Sequence, residues 1–126
     1  MIASAAQNGA DIVKLQTFIG GELISKTVKA MDPDQPEQEI FLHEFFQCYQ
    51  LSRGDYTALS EYSRELGVPL FSAPFDEESL EMLVELGVPT IKVASPDLTY
   101  LPFLKRVEKN RFTDSSFHGD GNERRN

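Results

Sequence analysis

One five-residue segment, Glu-Leu-Gly-Val-Pro, occurs twice in the sequence, at residues 65–69 and again at 85–89. Each copy ends a stretch with helical spacing of apolar residues and leads into a short apolar or β-branched run, at residues 69–73 and 90–94. A glycine after a helix can take the left-handed conformation that ends it. Two helix-to-strand units in tandem predict neighbouring parallel strands, and therefore an α/β protein built from βα repeats.

The composition of the chain excludes some classes of binding partner and some cellular compartments. The net charge of −8 disfavours nucleic acid, because nucleic-acid-binding faces are basic. No apolar run approaches the roughly 18–20 residues of a membrane span, and no secretory leader follows Met1. The lone Cys48 cannot form an internal disulfide and fits a reducing compartment. We therefore expect a cytoplasmic protein with no membrane partner.

The first predicted strand covers residues 10–18 and follows a helical segment that meets Gly9. Side chains alternate along a strand. One face carries Ile12, Lys14 and Gln16, and the other carries Val13, Leu15 and Thr17. Since a buried, unpaired ammonium is costly, a lysine in a strand must reach solvent or an anion. Spacing alone leaves both alternatives open for Lys14.

Loop and helix signals divide the rest of the chain. Residues 20–37 lack periodicity and contain two prolines, which predicts a long irregular loop. Ser52 and Asp55 have the form of a capping box, and the helix that they predict runs to Gly67. Asp76 can cap a second helix, and a third helix is predicted to end near residue 109. The inner stripe of the second helix is predicted to be Leu80, Leu83, Val84 and Leu86.

Polar side chains occur at the ends of all three predicted strands. They are Lys14 and Gln16, then Ser72 and Asp76, then Lys92, Ser95 and Asp97. Parallel βα proteins bind ligands at the carboxyl ends of their strands. Two lysines at one rim would hold a phosphate or carboxylate, with hydroxyls and an amide to orient it. No glycine-rich phosphate loop, HExxH, CxxC or nucleophile elbow identifies a reaction.

Three segments, at residues 8–18, 71–79 and 85–95, together resemble the N-acetylneuraminate (sialic acid) synthase family. They read Asn-Gly-Ala-Asp-Ile-Val-Lys-Leu-Gln-Thr-Phe, Phe-Ser-Ala-Pro-Phe-Asp-Glu-Glu-Ser and Glu-Leu-Gly-Val-Pro-Thr-Ile-Lys-Val-Ala-Ser. The resemblance implies a (β/α)8 TIM barrel, of which residues 1–109 would be a fragment carrying strands two to four. It also implies condensation of phosphoenolpyruvate with an N-acetylated hexose, such as N-acetylmannosamine, to a nonulosonic acid. A divalent metal, Mn2+ or Mg2+, assists in the family, and full-length members are expected to be homodimers.

The resemblance also suggests roles for the strand-end residues. Lys14 and Lys92 resemble the lysines that hold phosphoenolpyruvate, Ser95 its hydroxyl partner and Gln16 a sugar-contacting glutamine. The expected substrate-binding set is Lys14, Gln16, Ser72, Lys92, Ser95 and Asp97. Ala73 replaces a common threonine, and Pro96-Asp97 replaces a common Gly-Glu. These departures leave the acceptor sugar open, with legionaminic and pseudaminic acid synthases as alternatives.

The family's catalytic glutamate belongs to a strand that would precede Met1, and its metal-binding histidines belong to later strands. Neither His43 nor His118 occupies such a place. We therefore expect no catalytic residue and no metal ligand here, and a chain that is inactive alone. The alternatives are a non-catalytic, anion-binding βα remnant and another phosphoenolpyruvate-condensing barrel of the aldolase type.

The sequence loses its periodicity from Asn110 onward. Degenerate codons for this stretch, read one base later, permit a segment ending in Thr-Gly-Met-Ala, which is close to the family's fifth-strand segment. We interpret residues 110–126 as an out-of-frame, disordered tail produced by a frameshift.

Overall fold

The computed structural model describes residues 1–110. The proposed out-of-frame tail, apart from Asn110, lies outside the described residues. The elements are α1 (Ile2–Gln7), β1 (Val13–Thr17), α2 (Gly20–Leu23), β2 (Lys29–Met31), β3 (Glu39–Phe41), α3 (Leu42–Gln47), α4 (Arg53–Glu65), β4 (Leu70–Pro74), α5 (Glu77–Glu85), a 3-10 helix (Ser95–Thr99) and α6 (Leu101–Lys109). No helix within this part of the chain is long and apolar enough to cross a bilayer.

The centre of the fold is the parallel pair β1 and β4. Their register runs from Val13 opposite Leu70 to Thr17 opposite Pro74. The chain between them carries α4, as a connection between parallel strands requires. The prediction of an α/β fold with neighbouring parallel strands is confirmed; the described residues show these strands and not a closed barrel.

The regular strand predicted at residues 90–94 is not formed. A single parallel bridge joins Ile91 to Ser72, and the Lys92 N–H donates to the Ser72 carbonyl at 2.9 Å. The segment therefore runs beside β4 as a third strand would, but regular pairing stops at once. Pro89 and Pro96 bracket it, and the 3-10 helix already begins at residue 95, which leaves little room for a ladder.

The irregular loop predicted at residues 20–37 is also wrong in part. It contains α2 and β2, and β2 pairs antiparallel with β3, with Ala30 opposite Ile40. Strands of three residues are too short for alternation to be visible in the sequence. The two prolines lie in the connection between them, where the Asp34 N–H donates to the Asp32 carboxylate at 2.8 Å.

The helix boundaries follow the predicted caps. The Ser52 hydroxyl accepts from the Asp55 N–H at 3.1 Å, and the Asp55 carboxylate accepts from the Ser52 N–H at 2.9 Å. The Ser52 hydroxyl also donates to the Asp55 carboxylate at 2.6 Å, and this bond, together with that from the Ser52 N–H, lowers the pKa of Asp55. The repeated glycines, Gly67 and Gly87, have φ of +70° and +67°, so each takes the left-handed conformation predicted for it.

The core packs the helices against one face of the parallel pair. Its buried residues are Ile2, Tyr56, Leu70, Leu80, Leu83, Val88, Ile91 and Phe103. Two members of the predicted stripe on α5, Leu80 and Leu83, are fully buried, whereas Val84 and Leu86 pack only at the margin. The helices therefore cover one face of the parallel pair, and the exposed Lys14 and Gln16 lie on the other.

Candidate functional site

The register of β1 and β4 divides the predicted site residues between two faces of the sheet. Lys14 lies opposite Phe71 and Gln16 opposite Ala73, and both polar side chains are exposed. We call this side, which carries Lys14 and Gln16, the lysine face. The other side, which carries Leu15 and Leu70, packs in the core and is called the helix face. The alternation predicted for the first strand is confirmed.

Lys92 belongs to the lysine face by the same argument. Ile91 is bridged to Ser72 and is buried with it on the helix face. The next residue, Lys92, is exposed, as alternation requires for the opposite side. The backbone thus brings Lys14, Gln16 and Lys92 to one side of the sheet, which is the geometric condition for a shared anion site.

Ser72 does not lie with them. It is paired with Leu15, so its side chain is on the helix face, and its exposed fraction is 0%. Its hydroxyl donates to the Leu15 carbonyl at 3.1 Å and lies 2.7 Å from the Thr17 hydroxyl. This placement argues against the expected contact between Ser72 and substrate.

The remaining strand-end residues, Ser95 and Asp97, differ in their exposure to solvent. Ser95 is exposed at the start of the 3-10 helix. Asp97, which is half-buried, has one buried carboxylate oxygen, Oδ2, without a hydrogen-bond partner among residues 1–110. A buried acceptor of this kind is costly until a donor reaches it.

Asp76 has a structural role that the sequence did not reveal. Besides capping α5 through the Ser79 N–H at 2.7 Å, its carboxylate accepts from the Ile19 N–H at 2.8 Å. The Ser79 hydroxyl donates to it as well, at 2.8 Å. Asp76 thus ties the segment after β1 to the start of α5 and holds the two strand ends together, with both carboxylate oxygens engaged.

A buried phenol lies on the opposite side of the sheet from the lysines. Tyr56, on α4, is fully buried, and burial raises the pKa of its hydroxyl, an effect partly offset by the nearby Ser72 hydroxyl. Its hydroxyl has no hydrogen-bond partner of good geometry in the described part of the chain. The folded state therefore favours the neutral phenol.

This raised pKa predicts a loss of stability in alkali. The unfolded chain ionises Tyr56 near its ordinary value of about 10 while the folded chain keeps it neutral, so stability is full below about pH 10 and falls above it. Tyr56→Phe should remove this part of the fall, as measured by urea unfolding across that range. Tyr62→Phe, at a 44% exposed position on the same helix, is the control. An identical alkaline slope in Tyr56→Phe and the unmodified chain would contradict the argument.

Residues 1–110 do not form a binding site for the divalent metal that the resemblance implies. Within residues 1–110 no three His, Cys, Asp or Glu side chains come together in a way that could hold a metal ion. The buried His43 Nδ1 has no hydrogen-bond partner among residues 1–110, but His43 is not part of any group of possible metal ligands there.

Comparison with known proteins agrees with this architecture. N,N'-diacetyllegionaminic acid synthase of Legionella pneumophila is 35% identical over 114 residues, which are 88% of this chain and 32% of that protein. N-acetylneuraminate-9-phosphate synthase of Mus musculus is 31% identical over 117 residues, 86% of this chain and 31% of that protein. The chain therefore spans about a third of the length of these relatives.

A solved structure supports the same fold. The crystal structure of N-acetylneuraminic acid synthetase from Leptospira borgpetersenii, in complex with citrate, matches with a TM-score of 0.73 at 24% sequence identity. The match covers 87% of this chain and 34% of that one. The model of the NeuB family matches residues 1–113, which is most of the sequence. On this evidence the chain belongs to the NeuB family.

Proposed function

We propose that this chain is part of an enzyme that condenses phosphoenolpyruvate with an N-acetylated hexose to form a nonulosonic acid. Its lysine face would bind the phosphoenolpyruvate anion. The printed names of the relatives, a diacetyllegionaminic acid synthase and an N-acetylneuraminate-9-phosphate synthase, support this class of product. Because the chain spans about a third of those proteins, we assign it a share of substrate binding and expect no product from it alone.

One observation carries the proposal: Lys14 and Lys92 lie on the same side of the sheet, and both are exposed. Phosphoenolpyruvate carries a carboxylate and a phosphate, and each can accept charge-assisted hydrogen bonds from an ammonium group. The chain as a whole has a net charge of −8, so two lysines on one face form a local exception to its acidic surface.

The acceptor sugar would meet the uncharged and acidic groups nearby. Gln16 is exposed beside Lys14 and offers both a donor and an acceptor. The half-buried Asp97 carboxylate would supply an acceptor for a sugar hydroxyl. Legionaminic, pseudaminic and neuraminic acid precursors all present such groups, so the proposal names an N-acetylated hexose and not one particular sugar.

The test is a phosphoenolpyruvate titration of the full chain, followed by calorimetry or by 31P NMR. Lys14→Met or Lys92→Met should weaken binding by about 10- to 100-fold, the usual effect of losing a hydrogen bond to a charged group. Lys105→Met makes the same charge change at an exposed position on α6 and should alter the affinity by no more than about twofold.

Three results would count against this proposal. They are no binding of phosphoenolpyruvate beyond that of inorganic phosphate, equal losses in all three lysine variants, or no loss in Lys14→Met and Lys92→Met. Binding of phosphoenolpyruvate that is unaffected by N-acetylmannosamine and related N-acetylated hexoses would instead favour the anion-binding remnant. An aldolase-type barrel would be favoured if other acceptor sugars, but not N-acetylated hexoses, altered the affinity.

A further inference from the structure

The hydroxyls of Thr17 and Ser72 form a pair in the middle of an apolar layer. Their oxygens are 2.7 Å apart, and the residues are 2% and 0% exposed. The surrounding helix face carries the aliphatic Leu70 and Ile91 and also the buried Tyr56, whose hydroxyl lies near that of Ser72. Because the Ser72 proton goes to the Leu15 carbonyl, Thr17 is the donor in this contact. We refer to Thr17 and Ser72 as the hydroxyl pair.

We propose that the hydroxyl pair is a positioning device: it sets the register of β1 against β4 and so fixes where Lys14 stands relative to Lys92. The consequence for ligand binding rests on the proposed function; the register itself does not. Neither hydroxyl touches the lysine face, so both residues act through the backbone that carries the lysines.

Ser72 is the common anchor of both lysine-bearing segments. Its side chain donates to the Leu15 carbonyl, next to Lys14 along β1. Its own carbonyl accepts from the Lys92 N–H at 2.9 Å. One residue of β4 therefore holds the backbone beside each lysine, and the separation of the two ammonium groups depends on both contacts.

The apolar pattern alone cannot choose this register. A slip of one residue would turn Lys14 into the core and is excluded by the cost of burying its charge. A slip of two residues keeps every side chain on its own face, so hydrophobic burial barely distinguishes it from the observed register. It would nevertheless move Lys14 by about 6.6 Å along the strand relative to β4.

The hydroxyl pair does distinguish a two-residue slip. A slip that sets Val13 opposite Ser72 separates the two hydroxyls and leaves both buried without their partner. The opposite slip sets Thr17 directly opposite Ser72, where the Thr17 carbonyl would replace that of Leu15 as acceptor for the Ser72 hydroxyl, but it moves Ile19 away from the Asp76 carboxylate. The first slip therefore breaks the buried contact between the hydroxyl pair and the second breaks the part-buried bond from the Ile19 N–H to Asp76, whereas the observed register keeps both.

The experiment compares Thr17→Val, which keeps the shape but removes the hydroxyl, with Thr17→Ser, which keeps the hydroxyl. Register is read by NMR from cross-strand contacts between Lys14 and Phe71. We expect Thr17→Val to weaken these contacts and to weaken phosphoenolpyruvate binding by about 5- to 30-fold. Thr17→Ser should retain both. Val88→Ala trims the same buried core without touching a hydroxyl, so it should lower stability but leave the register intact.

The two readouts separate this inference from the proposed function. If the unmodified chain does not bind phosphoenolpyruvate, the proposed function fails, and the NMR comparison still decides the inference. Unchanged Lys14–Phe71 contacts in Thr17→Val would overturn the inference. So would equal register loss in Thr17→Val, Thr17→Ser and Val88→Ala, because the effect would then follow general destabilisation.

Discussion

Leu80→Ala is expected to lower the free energy of unfolding by about 2–5 kcal/mol, the usual cost of a large cavity in a closed core. Leu80 is 0% exposed and lies in α5, where it packs in the cluster that joins the helices to the strands. A domain of this size has a total stability of about 5–15 kcal/mol, so the variant should lose much of its folded population on mild heating.

The matched control is Leu101→Ala, the same change at the start of α6, where the side chain is 64% exposed. It should change the free energy of unfolding by no more than about 0.5 kcal/mol. Urea unfolding followed by circular dichroism measures both variants. Similar losses in the two would show that α5 does not pack as described.

Helix ends and faces could be predicted because their causes are local. The Ser52 and Asp55 capping box and the left-handed Gly67 and Gly87 depend on residues within a few positions of each other, and each is present. The stripe on α5 was predicted too broadly, since Val84 lies at the margin of the core. Which apolar residues of a helix become buried depends on packing partners that are distant in sequence. The periodicity of the helix carries no information about those partners.

The strand predictions failed where strand length and tertiary contacts determine whether a segment pairs. The sequence around Ile91 is β-branched, yet only one bridge forms before the 3-10 helix begins at Ser95. The hairpin of β2 and β3 was missed because each strand has three residues. Local propensity cannot weigh such contacts.

In the candidate site, too, the features with local causes were predicted and those that depend on tertiary contacts were not. Alternation alone placed Lys14 and Gln16 on one face, and the structure agrees. Ser72 stands at a strand end like them, but its pairing with Leu15 places its side chain in the core, which the buried residues of both parities in β4 do not reveal from sequence. The bond from the Ile19 N–H to Asp76 joins residues 57 positions apart, and only the folded chain reveals it.

Gly20→Ala is expected to detach α2 from α3. A Cβ at Gly20 would lie 2.7 Å from the Gln47 Cγ and 2.8 Å from both the Gln47 N and the His43 carbonyl oxygen. Two of these three atoms belong to the backbone, so the clash cannot be relieved by turning a side chain. We expect a destabilisation of about 1–3 kcal/mol, with loss of the bond from the Gly20 N–H to the Gln50 side chain.

The adjacent Gly21 supplies a control in the same helix. A Cβ there would meet only the Lys26 Cε, at 3.9 Å, so Gly21→Ala should be neutral or should stabilise α2 by up to about 1 kcal/mol. Urea unfolding, with amide hydrogen exchange in α2 and α3 as the local readout, measures both variants. Because a helical preference for alanine acts equally at both positions, a difference in sign isolates the close approach of α2 to α3. Equal effects at the two positions would contradict the close packing of α2 against α3.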